Sequence, residues 1–284
     1  MRLINFAGRL ALLTTDGVVD VQNASGGLFT ADPQAVYDRW DEFLAWAATV
    51  PTTDTVPLDA QLLGPPVPRP GQLFAIGLNY REHAAEAGLE LPETPMVFTK
   101  FPSSITGPVD TIALPSAAVD FEAEVVAVIG RRAYRVEETD GWSYVAGLTA
   151  GQDLSDREVQ LKPPAPAQFN LGKSFPGFAP IGPVLITPDE FADPDDLELA
   201  CTVSGEEMQK ARTRDLIFSV PRIVAYLSSI LPLSPGDVIF TGTPSGIGWT
   251  REPRRLLSPD DELITRIEGI GEMRHTFTNH STPQ

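Results

Sequence analysis

The sequence predicts an α+β fold that is mainly β, and three observations predict it. Twenty-seven prolines divide the 284 residues into many short segments. The apolar runs between turns are short and rich in β-branched residues, as in Val125-Val126-Ala127-Val128-Ile129. Helical spacing of apolar residues is confined to a few stretches.

Taken in order, Arg2–Phe6, Leu10–Thr14 and Val18–Val21 read as short strands, with Thr15-Asp16-Gly17 as a turn. Asp32-Pro33 is a helix start, with Asp32 as N-cap and Pro33 at the first helical position. Val36, Trp40, Phe43, Leu44 and Ala47 then recur at helical spacing, predicting an amphipathic helix to about Thr49. Gly64-Pro65-Pro66-Val67-Pro68-Arg69-Pro70-Gly71 reads as a stiff, extended linker. The chain is therefore expected to divide into a small N-terminal α+β domain (1–64), a Pro-rich linker (65–72) and a main domain (73–284). In the main domain, Leu73–Ile76 and Pro95–Lys100 read as strands on either side of a short helix that ends near Gly88. Val145–Gly151, Val184–Thr187, Glu198–Val203, Ile264–Ile267 and Met273–Phe277 are further strands, and 160–170 is a Pro-rich loop. Asp215–Ile230 has a helical apolar face, which Pro221 is expected to kink or split.

The net charge of −17 argues against a nucleic-acid partner, whose phosphates would be repelled. No apolar run is long enough to span a bilayer, and the first residues lack the apolar core of a signal peptide. The single cysteine, Cys201, lies in a strand-like run and reads as a packed thiol in a reducing, cytoplasmic setting.

Asp120, Glu122 and Glu124 alternate just before the apolar run at 125–129. In one strand they would project to one face. Like charges crowded beside a core need a positive partner, and a divalent cation is the simplest one; a strand entering the core from a solvated acidic edge is the alternative. Asp153, at the mouth of the next apolar run, either adds to such a site or caps the following turn. His83 and Glu86 are three residues apart on a short helix, which makes them either a general-base pair or a surface ion pair. Lys173 stands alone among apolar and glycine residues, where an exposed loop lysine is the ordinary reading. The glycine-rich stretch 241–248 lacks a Gly-Lys-Ser/Thr ending, so it is no nucleotide P-loop; it reads as a turn or as a presenter of N–H groups to an anion.

Together these segments resemble the fumarylacetoacetate hydrolase superfamily. The matches, in family order, are Gly-Leu-Asn-Tyr-x-x-His-x-x-Glu at 77–86, Val97-Phe98-x-Lys100, Asp120-x-Glu122-x-Glu124, Asp153-x-x-x-Arg157-x-x-Gln160, Gly172-Lys173-x-Phe175, the Gly236–Pro244 run, and Gly269-Ile270-Gly271. They span Arg69 to Phe277. The resemblance implies a mixed β-roll with a small N-terminal cap domain, usually in a homodimer. It implies that Glu122, Glu124 and Asp153 bind one divalent metal, and an all-oxygen ligand set suits Mg²⁺ or Mn²⁺, or Ca²⁺. It implies a hydrolase that cleaves a C–C bond in a small anionic 2-oxo acid of acylpyruvate or 2,4-diketo acid type. Water activated by His83 and Glu86 would attack, and a metal-stabilised enolate would leave with help from Lys173. Arg157, Gln160, Lys100 and Thr243 are the implied substrate-binding residues, and Gly77 and Gly88 would bracket a lid. The alternatives are a decarboxylase of oxaloacetate-like acids, an isomerase or hydratase of hydroxymuconate-type diacids, and a non-catalytic metal- or ligand-binding relative. The stretch 161–171 lacks the tryptophan many relatives carry there, which leaves the substrate's side group open.

Overall fold

The computed structural model describes residues 1–50, 54–86, 90–162 and 167–279. Its main strands are β1 (Arg2–Phe6), β2 (Arg9–Thr14), β3 (Gly17–Asp20), β4 (Leu73–Gly77), β5 (Met96–Thr99), β6 (Val109–Leu114), β7 (Ala123–Ile129), β8 (Val145–Gln152), β9 (Ala179–Ile186), β10 (Glu198–Val203), β11 (Glu206–Arg212), β12 (Val238–Phe240), β13 (Glu262–Ile267) and β14 (Gly271–Asn279). Four helices matter below: α1 (Trp40–Ala47), α2 (Arg81–Glu86), α3 (Arg157–Leu161) and α4 (Val220–Ile230).

The strands form two mixed sheets. The larger runs β3-β2-β1-β9-β8-β7-β12-β4-β5 and the smaller β11-β10-β13-β14-β6. Neighbours are antiparallel except β12 with β4 and β14 with β6. This is the mixed, strand-dominated β-roll expected above. The N-terminal hairpins extend the larger sheet, because Arg2 and Leu3 of β1 pair with Ile186 and Leu185 of β9. Val67, in the Pro-rich stretch, is fully buried in the same core as Trp40 and Phe43 of α1.

Strand β7 explains why its apolar run has no polar alternation. Val125, Ala127 and Ile129 pack with α4 on one face, while Val126 and Val128 pack with the N-terminal elements on the other. A strand covered on both faces gains from every apolar side chain. Cys201 is buried as expected, and burial pushes its thiol up to about 12. Among the described residues no helix is long and apolar enough to cross a membrane.

Four local expectations need correction. Asp32 caps a turn at Gln34, but the chain passes through a 3-10 turn at Tyr37–Arg39 before α1 starts at Trp40, and Asp32 also pairs with Arg69. Pro221 starts α4 rather than kinking it: Ser219 is the N-cap, and in the first turn no intrahelical acceptor awaits the missing N–H. Residues 160–161, expected in a Pro-rich loop, finish α3, and Phe169–Gly172 form another helical turn; residues 163–166 lie outside the described residues. Asp120 does not share a strand with Glu124. It sits in a two-residue strand, Val119–Asp120, paired with Ser155–Asp156, and the chain breaks at 121–122 before β7 begins.

Candidate active site

Glu124 lies in β7, paired opposite Gly151 of β8, and Glu122 directly precedes β7. Asp153 directly follows β8, and its N–H donates to the Glu122 carbonyl (2.9 Å), which locks the ends of the two strands together. One oxygen from each of Glu122, Glu124 and Asp153 can be chosen so that all lie within 4.8 Å of one another. All three residues are buried. Asp153 does not cap the next helix; Asp156 does, accepting from the Val159 N–H.

Three cations are built into the same cluster. Lys173 Nζ donates to Asp153 Oδ2 (2.6 Å), Ser155 Oγ (2.8 Å) and Glu122 Oε2 (2.9 Å). Arg157 clamps the other Glu122 oxygen at 2.6 Å, bonds Asp120 through Nε and Nη2, and donates to Gln160 Oε1. Lys100 is completely buried behind Asp153, with Nζ donating to Asp153 Oδ1 at 2.5 Å and to the carbonyls of Leu154 and Lys173.

These charges sort the carboxyl groups. Burial would raise Glu122, but Lys173 and Arg157 overcome it and hold it down to about 2. Burial raises Glu124 well above the carboxylate range, Asp153 and Glu122 add to that, and the Gly242 N–H (2.6 Å) and Lys173 oppose it without overcoming it. Burial pushes the Lys100 ammonium down, whereas Asp153 and Glu122 outweigh burial at Lys173 and raise it. A site whose third carboxyl lacks a cationic partner fits one more positive charge, and a hard divalent ion matches an all-oxygen set.

The glycine-rich stretch does present N–H groups to anions, and those anions are side chains of this protein. Gly242 serves Glu124, while Gly248 and Trp249 serve Asp120. Gly242 has φ +107°, and a Cβ there would lie 2.7 Å from Asn79 Cβ, so only glycine brings this N–H onto Glu124.

Beside the cluster lies a cavity of about 170 Å³, whose walls include His83, Glu122, Arg157, Gln160, Lys173 and Thr243. His83 Nδ1 lies 3.2 Å from Glu86 Oε2. Glu86 is held in turn by Thr250 Oγ1 (2.7 Å) and the Gly246 N–H (3.3 Å). Burial would raise Glu86, but His83, Thr250 and Gly246 outweigh it and lower its carboxyl. Thr243 Oγ1 donates to the Ala123 carbonyl and accepts from Gln209.

The structure thus brings nine of the ten expected residues to the cavity, to its carboxylate cluster or to the helix at its mouth. Lys100 is placed a layer behind, with its donors spent inside the protein. Gly88, expected to bound a lid, lies outside the described residues. Sequence reasoning missed Ser155, Thr250 and the two loop N–H groups at Asp120. Nothing in their spacing marks them, because each acts through a partner more than fifteen residues away.

The C-terminal family model of fumarylacetoacetate (FAA) hydrolase matches residues 72–278. The structure is similar to that of a candidate HpcE protein from Mycobacterium smegmatis (TM-score 0.93, 53% identity, 99% of this chain and 100% of that one). It is also similar to maleylpyruvate hydrolase from Sphingobium sp. SYK-6 in complex with manganese(II) and pyruvate (TM-score 0.78, 28% identity, 99% and 100%). Among curated relatives, the mitochondrial oxaloacetate tautomerase Fahd2a of Rattus norvegicus is 41% identical over 208 residues, which are 72% of this chain and 66% of that protein. The chain spans about two thirds of that relative's length. With the family's segments in order and its strand architecture around the carboxylates, the chain belongs to the fumarylacetoacetate hydrolase family.

Proposed function

We propose that the protein is a divalent-metal-dependent hydrolase that cleaves a C–C bond in a small 2-oxo acid of acylpyruvate or 2,4-diketo acid type. The observation that carries the reading is His83, paired with Glu86, lining the same cavity as Glu122 of the three-carboxylate cluster. Glu122, Glu124 and Asp153 would hold a Mg²⁺ or Mn²⁺ ion, which when bound supplies Lewis acidity toward the oxygens of a 2-oxo acid. Glu86 fixes the Nδ1 side of His83, leaving Nε2 as the nitrogen that accepts a proton from water. The water oxygen bonds to the distal carbonyl carbon and the adjacent C–C bond breaks. Its electron pair passes to the 2-oxo acid fragment as an enolate, beside the Lys173 ammonium. The proton held by His83 then returns to the enolate carbon. Gln160 and Thr243 line the path of the substrate, and Arg157 orients Glu122.

A second reading is proton transfer on oxaloacetate, and the tautomerase name carried by the rat relative favours it. The homodimer and the cytoplasmic location belong to the proposal as well, the latter resting on the one, buried cysteine. The test is turnover of acylpyruvates and of oxaloacetate with Mg²⁺ or Mn²⁺, followed by pyruvate release and by the enol absorbance. Metal-dependent release of pyruvate from acylpyruvates, abolished by Glu122→Ala, is the expected result. Oxaloacetate turnover with acylpyruvates inert would replace it with the second reading.

A further inference from the structure

The same cavity is lined by two kinds of side chain. Lys173 and Arg157 belong to the carboxylate cluster, whereas Leu78, Met96, Phe98, Phe169 and Ile247 form an apolar part of the wall. The two kinds meet directly. Lys173 Nζ lies 5.1 Å from the centre of the Phe98 ring, and Phe98 packs against Phe169 with centroids 5.9 Å apart. The wall is also braced: Asn170, next to Phe169, accepts from the backbone of Thr99, next to Phe98.

Among the described lining residues, no cation has a donor directed to that apolar wall. Arg157 and Lys173 are the cationic side chains among the described lining residues, and their donors point to Asp120, Glu122, Asp153, Ser155 and Gln160. The charge balance agrees. Four carboxylates (Asp120, Glu122, Glu124, Asp153) meet three cations (Lys100, Arg157, Lys173). A divalent ion turns an excess of one negative charge into an excess of one positive charge. That offsets one substrate carboxylate and leaves a second uncompensated, with Glu86 at the mouth adding further repulsion.

We infer that the substrate is a 2-oxo monocarboxylate whose far end is a small uncharged group seated on Met96, Phe98, Phe169 and Ile247, and that diacids are discriminated against. The inference rests on the proposed 2-oxo acid reading of the site and narrows it. The cavity, about 170 Å³ in all, suits a tail that is a short alkyl or similarly compact group.

Two inert probes test it by titration calorimetry on the Mn²⁺-loaded protein: 2-oxoglutarate and 5-methyl-2-oxohexanoate. They share the 2-oxo acid head and the carbon chain, and differ in ending on a carboxylate or an isopropyl group. The neutral probe is expected to bind at least about tenfold more tightly, since an unpaired charge would otherwise enter the apolar end. Met96→Arg, at the cavity rim and 37% exposed, is expected to narrow or reverse that ratio. Equal or tighter binding of 2-oxoglutarate to the unaltered protein overturns the inference, as does failure of both probes to bind or an unchanged ratio in Met96→Arg. If the neutral probe is preferred but no acylpyruvate is cleaved, the hydrolase reading falls and this inference stands. If acylpyruvates are cleaved and 2-oxoglutarate is preferred, the reverse holds.

Discussion

Lys173 Nζ lies 2.6 Å from Asp153 Oδ2, and both side chains are buried. The lysine also reaches Glu122. It therefore binds two of the three carboxylates that face one another, and the metal-free protein carries its own counter-charge at the site.

That relationship predicts the behaviour of Lys173→Met. Removing one partner of a buried ion pair leaves carboxylates uncompensated and costs about 3–5 kcal/mol. In the metal-free variant the loss is expected in full, as a large drop in thermal midpoint. Mn²⁺ supplies the missing charge, so saturating metal is expected to recover most of the midpoint while activity stays at least about a hundredfold down. Differential scanning fluorimetry with and without Mn²⁺ reads this directly. A variant equally unstable with and without metal would show that Lys173 and the ion do not share these carboxylates.

Glu124 predicts a pH dependence. Burial, Asp153 and Glu122 raise its carboxyl well above the ordinary 4.5. Between the ordinary value and the raised one, the folded metal-free protein holds a proton that the unfolded chain has released. Folded-state stability from this group therefore falls as pH rises through that window. A metal ligand has to be ionised, so metal affinity rises with pH over the same window and binding releases a proton. Calorimetric titration of Mn²⁺ in buffers of different ionisation enthalpy measures that proton. Glu124→Gln is expected to abolish the release along with tight binding.

Asp120 predicts a stability effect separate from metal binding. It accepts from Arg157 Nε and Nη2 and from the N–H groups of Phe121, Gly248 and Trp249. Asp120→Ala removes one of the two carboxylates that pair with a buried guanidinium and loosens the loop at 248–249, at a cost of about 3 kcal/mol. Urea denaturation is the measurement. Mn²⁺ affinity is expected to weaken only modestly, because Asp120 is not one of the three facing carboxylates and acts on Glu122 through Arg157.

Parts of this site were legible because alternation along a chain is a local signal. Glu122 and Glu124 announced themselves two residues apart, at the start of a strand buried on both faces. Asp120 obeyed the same alternation and was misplaced, since the break at 121–122 depends on pairing between Asp120 and Ser155, which no local pattern encodes. Lys100, expected to end a strand, directly follows one (Met96–Thr99), and its destination behind Asp153 depends on which strands become neighbours. Pro221 showed the opposite failure: a residue read as a defect inside a helix marks its beginning, because Ser219 caps two residues earlier. The strand-rich class was legible from turn spacing. The join of β1 to β9 across more than 180 residues was not, because sheet register at that distance is decided by packing.

The His83–Glu86–Thr250 chain allows proton chemistry to be separated from metal binding. His83→Gln removes the proposed base, and a positioned general base contributes about 10²–10⁴-fold, so kcat is expected to fall in that range. None of the three residues belongs to the carboxylate cluster, so Mn²⁺ affinity is expected to stay within about threefold by calorimetry. Thr250→Val deletes the 2.7 Å bond to Glu86 together with the local 3.1 Å contact to the Ile247 carbonyl. Its expected effect is a loss of about tenfold in kcat, worth about 1.4 kcal/mol, with KM little changed. Thr250→Ser keeps the hydroxyl and is expected to restore most of the rate. If His83→Gln left kcat unchanged while Glu122→Ala abolished turnover, the water-activating role would pass from His83 to another group at the cavity, and Lys173 stands nearest the carboxylates.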